Sequence, residues 1–119
     1  MFKFFKKEKK EANIKLQKDP FPTIEEIKEL IIIDIRDKED IEFYGKFSNS
    51  IQIPFDEYFA SKLLMLDKTK KYGIMDLKGI EVTLNKAEQI AKEVGLNAKK
   101  LKGGFFYISE VLNYKPIKG

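Results

Sequence analysis

Apolar and polar positions change period several times along the chain, and each change marks an element. "LIIIDI", residues 30–35, is a continuous run of branched apolar side chains, as expected of a strand buried on both faces of a parallel sheet. "SIQIP", 50–54, is a shorter run stopped by Pro54, and "KYGIMD", 71–76, is a third that ends on Asp76. "AKKLKGG", 98–104, carries a fourth short strand into a Gly-Gly turn. Between these runs the spacing becomes helical. Thr23 with Glu26 three residues later is a capping-box signature ahead of "IEEIKEL". "DKEDIEFYG", 37–45, reads as a short helix or turn closing on Gly45. "FDEYFASKLLML", 55–66, puts Phe55, Phe59, Leu63 and Leu66 at helical spacing. "TLNKAEQIAKEVG", 83–95, is an amphipathic helix with Gly95 as its cap, and "FFYISEVLNY" is a last helix before Pro116.

Strands alternating with helices in this way predict βαβ units: an α/β domain with a small, mostly parallel sheet of about five strands and helices on both faces. Ligands of such sheets bind beyond the carboxyl ends of the strands. Asp34 to Arg36 and Asp76 to Gly79 both fall there. The 119 residues suit one domain, 23–119, preceded by an extension and stiff Pro-rich linker over 1–22.

Composition changes this picture by subtraction. The chain contains no cysteine and no histidine. Disulfides, thiolate catalysis and thiolate metal sites are excluded, and the usual general base and commonest metal ligand are missing. No cofactor or metal is expected. The net charge of +4 is uneven. Residues 1–18 hold seven lysines against Glu8 and Glu11, whereas the remainder holds 16 basic and 17 acidic groups. Arg36 is the single arginine, which makes a poor reader of phosphates and base edges, so nucleic acid is not an expected partner. The tail mixes Phe2, Phe4 and Phe5 with lysines in the manner of an interfacial membrane anchor. It lacks a helical stripe and is read instead as a solvated segment. With no secretory signature and no spanning segment, a cytoplasmic location is expected.

Taken in order, these segments resemble the rhodanese-like domain family. That family opens with a strand ending Asp-Val-Arg, a Glu-aromatic helical turn, and Gly-His-Ile-x-Gly-Ala-x-Asn-Ile-Pro. The corresponding text is "DIRDKEDIEF", 34–43, and "GKFSNSIQIP", 45–54, matching at Asp34, Arg36, Glu39, Gly45, Ser50, Ile51, Ile53 and Pro54. Lys46 stands in for the family's histidine and Asn49 for its second glycine. The family's Leu-x-Gly-Gly appears as "LKGG", 101–104, ending on Gly103 and Gly104, and its closing Gly-x-Pro-Val is echoed in "YKPI". A rival resemblance, to a response-regulator receiver, fails for want of an early acidic pair and of a helix after the Lys-Pro.

In active members the third run ends on a cysteine, and a loop of inward-pointing amides stabilises its thiolate, its persulfide or an oxyanion. Aligned on Gly79, that cysteine position falls on Asp76; aligned on the following helix, it falls near Lys78. Either way the nucleophile is absent. The resemblance therefore implies the fold without the sulfurtransferase or phosphatase chemistry, and the chain is read as no such enzyme. The expected role is a protein-binding or regulatory module. The alternative is a weak oxyanion or small-metabolite sensor using the loop 76–82, with Leu77, Lys78, Gly79, Ile80, Glu81 and Val82 as candidate anion-loop residues. A third reading makes Asp76 a phosphoryl-accepting carboxylate; the simpler one makes it a cap for backbone amides. Arg36 is expected to pair with Glu39 or Asp40 as scaffold, and Lys46 to be a solvated lysine. The numerous aromatics are expected mainly in the core.

Overall fold

The computed structural model describes residues 20–118. The tail-or-anchor question for residues 1–18 lies outside them. Helix α1 (Ile24–Glu29) starts from a complete capping box: the Glu26 amide donates to Thr23 Oγ1 at 3.2 Å and the Thr23 amide to Glu26 Oε1 at 3.0 Å. Then follow β1 (Ile31–Asp34), α2 (Lys38–Tyr44), β2 (Ser50–Gln52), α3 (Phe59–Leu63), β3 (Lys71–Met75), α4 (Glu81–Glu93), β4 (Asn97–Lys100) and α5 (Gly104–Phe106). The last helix widens without a break into a π-helical turn, Tyr107–Val111.

The strands form one sheet in the order β2-β1-β3-β4, and every pairing is parallel. Four strands are present among the described residues, near the expected count of about five. The continuous apolar run of β1 is explained by its position. Ile32 and Ile33 are both fully buried, yet they belong to different cores. Ile33 packs with Ile74, Leu63, Leu84 and Ala87, under α3 and α4. Ile32 packs with Ile27, Met75, Phe105 and Ile108, under α1 and α5. A strand with helices on both faces needs apolar side chains at odd and even positions alike.

Two helices differ from expectation. The run 55–66 is helical only over Phe59–Leu63. Asp56 holds the preceding residues in a turn, its Oδ1 accepting from the Tyr58 amide at 2.9 Å and its carbonyl from the Phe59 amide at 3.1 Å. Phe59 and Leu63 are nonetheless buried. Helix α4 begins at Glu81, two residues before Thr83. It ends as expected at Gly95, whose φ is 88°. The Gly95 amide donates to Lys92 O and the Leu96 amide to Ala91 O, both at 3.0 Å, a Schellman closure.

Around the sheet the chain is tied by specific contacts. Asn49 Nδ2 donates to the carbonyls of Ile27 and Leu30, each at 2.8 Å, while Asn49 Oδ1 accepts from Tyr114 Oη at 2.9 Å. The residue that departs from the family's glycine thus fastens α1 to the C-terminal segment. Lys46 and Ile117 form a single antiparallel bridge, with amides donating at 2.9 and 2.7 Å. The Lys46 side chain itself is exposed. The linker lies on the domain, with Phe21 stacked on Tyr107 at 4.5 Å between centroids. No described helix is long and apolar enough to cross a membrane.

Candidate functional site

Strand β3 delivers Asp76 to the carboxyl edge of the sheet, between the ends of β1 and β4. The residue is 7% exposed. Its two carboxylate oxygens are divided between two loop amides. Gly79 donates to Oδ1 at 2.8 Å and Ile80 donates to Oδ2 at 2.7 Å. Gly79 can turn its amide inward because it adopts φ 82°, a conformation that favours glycine. With the Ile80 amide held in this way, the Ile80 carbonyl accepts from Leu84 at 3.0 Å and α4 starts at once. Burial raises the Asp76 carboxyl above its ordinary value and outweighs the two amide bonds, which pull it down; the Asp34 charge adds to the rise.

The loop is fixed from behind. The amides of Phe105 and Phe106 donate to the carbonyls of Asp76 and Leu77 at 2.8 and 3.2 Å. Gly104, at φ 67°, lies so close that a Cβ there would sit 2.7 Å from both Asp76 Oδ1 and Gly79 N. A Cβ on Gly79 would sit 2.7 Å from the Cα of Gly103. The "LKGG" glycines are therefore the rear wall of the loop. Of the other loop residues, Leu77 packs against the second core, and Lys78, Ile80, Glu81 and Val82 are exposed. Glu81 pairs with Lys100 at 3.4 Å, away from the amides.

Arg36 departs from its expected partners. Its Nε and Nη2 donate to Asp34 Oδ1 and Oδ2 at 2.9 and 2.8 Å, and Nη2 also reaches the Gly45 carbonyl at 2.8 Å. Both side chains are 1% exposed, and the guanidinium lies 4.1 Å from the Phe105 ring centre. Glu39 is exposed. The pairing with Glu39 or Asp40 gives way to Asp34 because alternate residues of an extended strand share a face. Pro54 and Gly45 keep structural places: the first follows β2, and the second, at φ 88°, closes α2 against Ile117.

Between α2 and the loop opens a cleft of about 280 Å³. Phe55 and Ile80 supply apolar lining; Asp37, Asp40 and Asp76 supply carboxylates, with Lys78 beside them. A hollow of about 330 Å³ lies at the opposite, amino end of the strands. Its lining includes an exposed pair, Lys99 with Glu26 at 3.0 Å, and the buried Tyr72, whose hydroxyl donates to the Asp67 carbonyl at 2.8 Å. Asp37, Asp40 and Phe55 were not singled out from sequence as site residues. The one available signal was the acidic start of α2, which reads equally well as helix capping. Among the described residues, no group of three or more acidic side chains is placed to hold a metal ion.

No family model and no curated protein matches the sequence. Solved structures do match. A rhodanese-related protein from Thermoplasma volcanium superposes with a TM-score of 0.63 at 24% identity, over 82% of this chain and 96% of that one. A rhodanese-like domain protein from Staphylococcus aureus gives 0.58 at 24% identity, over 72% and 87%. A full-length protein from Lactobacillus plantarum gives 0.70 at 15% identity, over 99% and 100%. The chain has the rhodanese-like α/β fold, built without a cysteine.

Proposed function

We propose that this chain is a rhodanese-fold module in which sulfur transfer has given way to recognition of a protein partner at the rim of the emptied cleft. One observation carries the reading: the Asp76 carboxylate occupies the amides of Gly79 and Ile80, at 2.8 and 2.7 Å. A thiolate or a bound oxyanion would need those donors. No other side chain of a cysteine-free protein carries a persulfide. Outward the loop presents Ile80, 51% exposed, and Val82, 64% exposed, among the exposed charges of Lys78 and Glu81 and beside the half-buried Phe55. Exposed apolar groups rimmed by charge suit protein contact.

A thiosulfate–cyanide assay tests the chemical half of this reading. Wild type should show no turnover above the uncatalysed rate, and Asp76→Cys should accept a persulfide seen by intact mass. Turnover by wild type would overturn it. A photo-cross-linking residue at Val82 should capture a partner in the source cells when the same group at Lys86, on the exposed side of α4, does not. Equal capture at both positions, or none, would remove the rim from consideration. Stabilisation by sulfate, phosphate or thiosulfate in a thermal-shift screen would favour the anion-sensor alternative.

A further inference from the structure

We infer that residues 20–22 form a strap that sets how firmly the Asp76 loop, and with it the rim of the cleft, is held in place; the coupling is independent of what the cleft binds. Pro20 is exposed, Phe21 is 45% exposed and Pro22 is buried. Among the described residues these three make no hydrogen bond, and Pro20 and Pro22 have no amide proton to donate. The strap is therefore held by side-chain contact. The Phe21 ring stacks on Tyr107 at 4.5 Å between centroids and 26° between planes, with Lys102 Nζ 4.8 Å from its centre. Behind it, the buried Pro22 and the capping box of Thr23 and Glu26 fix the start of α1, so Phe21 can lift without unwinding that helix. Phe21 precedes a proline and is confined to extended backbone, so seating its ring orders little that is not already ordered.

Gly103 carries the coupling. A Cβ added there would lie 3.2 Å from Phe21 Cε1, and a Cβ added to Gly79 would lie 2.7 Å from the Gly103 Cα and 2.8 Å from its nitrogen. Phe21, Gly103 and Gly79 thus follow one another in contact, with less than a methyl group's room between loop and rear wall. Gly103 sits at φ 90°, and without a side chain of its own its position is set by these neighbours. Gly79 in turn donates to Asp76 Oδ1 at 2.8 Å, and the next amide, of Ile80, donates to Oδ2 at 2.7 Å. Asp76 and Ile80 both line the cleft. Removing the ring at position 21 lets Gly103 swing away from Gly79, and Gly79 then loses the backing that keeps its amide on the carboxylate.

Native-state amide hydrogen exchange of the full chain, followed by nuclear magnetic resonance, tests the coupling. Phe21→Ala removes a ring from an exposed linker, so the fold should survive, as circular dichroism would verify. Exchange at Gly79 and Ile80 should rise about fivefold, the scale of one aromatic contact. The Leu101 amide, bonded to Ile74 O at 2.8 Å, and the Gly95 amide, bonded to Lys92 O at 3.0 Å, should keep their wild-type rates. Phe21→Tyr keeps a ring to stack on Tyr107 and should retain wild-type protection of the loop. Unchanged exchange at Gly79 and Ile80 in Phe21→Ala would overturn the strap. An equal rise at all four amides would overturn it too, because it reports a loss of overall stability rather than release of the loop. So would a rise in Phe21→Tyr as large as that in Phe21→Ala.

Discussion

Replacing Gly104 by alanine should disrupt the loop far more than an ordinary glycine substitution. The residue has φ 67°, where an L-side chain costs about 1 kcal/mol. Its new Cβ would stand 2.7 Å from Gly79 N and Asp76 Oδ1 and 2.8 Å from Leu77 O. Two of those atoms are backbone, so the strain cannot be relieved by rotating a side chain. The loop must retreat from α5, weakening the Phe106-to-Leu77 bond at 3.2 Å and the Gly79-to-Asp76 bond at 2.8 Å. Each is worth about 1 kcal/mol, which brings the expected loss to about 3 kcal/mol. Gly95→Ala is the matched comparison. It carries a similar φ of 88°, but its Cβ would meet only the flexible Lys68 chain, at 3.3 Å from Cε. Only the conformational cost, about 1 kcal/mol, is expected there. Urea unfolding followed by far-ultraviolet circular dichroism measures both. With a slope of about 1.5 kcal/mol per molar, the midpoint should fall by about 2 M for Gly104→Ala and by less than about 1 M for Gly95→Ala. If the two variants lose the same stability, the close packing behind the loop does not restrain it.

Two further outcomes follow from the same geometry. Asn49→Ala removes three hydrogen bonds of 2.8, 2.8 and 2.9 Å and leaves the Ile27 and Leu30 carbonyls to part-buried surroundings, so about 2 kcal/mol should be lost in urea melts. Tyr114→Phe, which removes one of the three, should lose about 1 kcal/mol; an equal loss from both would refute Asn49 as the hub. Asp76 should also give stability a distinctive pH dependence. Because burial raises its carboxyl in the folded state, the folded protein holds that proton more firmly than the unfolded chain does. Its contribution is fully present below the ordinary aspartate value and declines as pH rises through the raised one. The stability of wild type relative to Asp76→Asn should therefore fall with rising pH across that window and level off above it. A relative stability that climbs across the same window would show that the amide bonds outweigh burial.

The sheet was legible because strands covered on both faces announce themselves as unbroken apolar runs, as at 30–35 and 71–76. The helix caps at Thr23 and Gly95 were legible for a similar reason: they are local chemistry. What failed was anything that depends on how elements meet. Sequence neighbours suggested the acidic turn as the partner of Arg36, but the shared face of an extended strand delivered Asp34. Asn49 read as a lost glycine because its partner Tyr114 lies 65 residues away. The Asp76 loop could be placed at a strand end, whereas the acidic wall opposite it needed the position of α2 against that loop. The 55–66 pattern found two buried residues, Phe59 and Leu63, and two at the margin of the core, Phe55 and Leu66, but overstated the helix, since Asp56 diverts the backbone ahead of Phe59.

The bridge between Lys46 and Ile117 gives the domain an order of assembly. It joins backbone segments on either side of two crossover connections, and it buttresses Gly45, whose carbonyl receives Arg36. A chain emerging from the ribosome at about 5–20 residues per second makes the parallel strands one at a time, and it cannot clasp α2 until residue 117 is free. Helix α2, which carries Asp40, is thus secured by residues that follow all four strands in the chain. The cleft beside α2 is completed only after every strand of the sheet has been made.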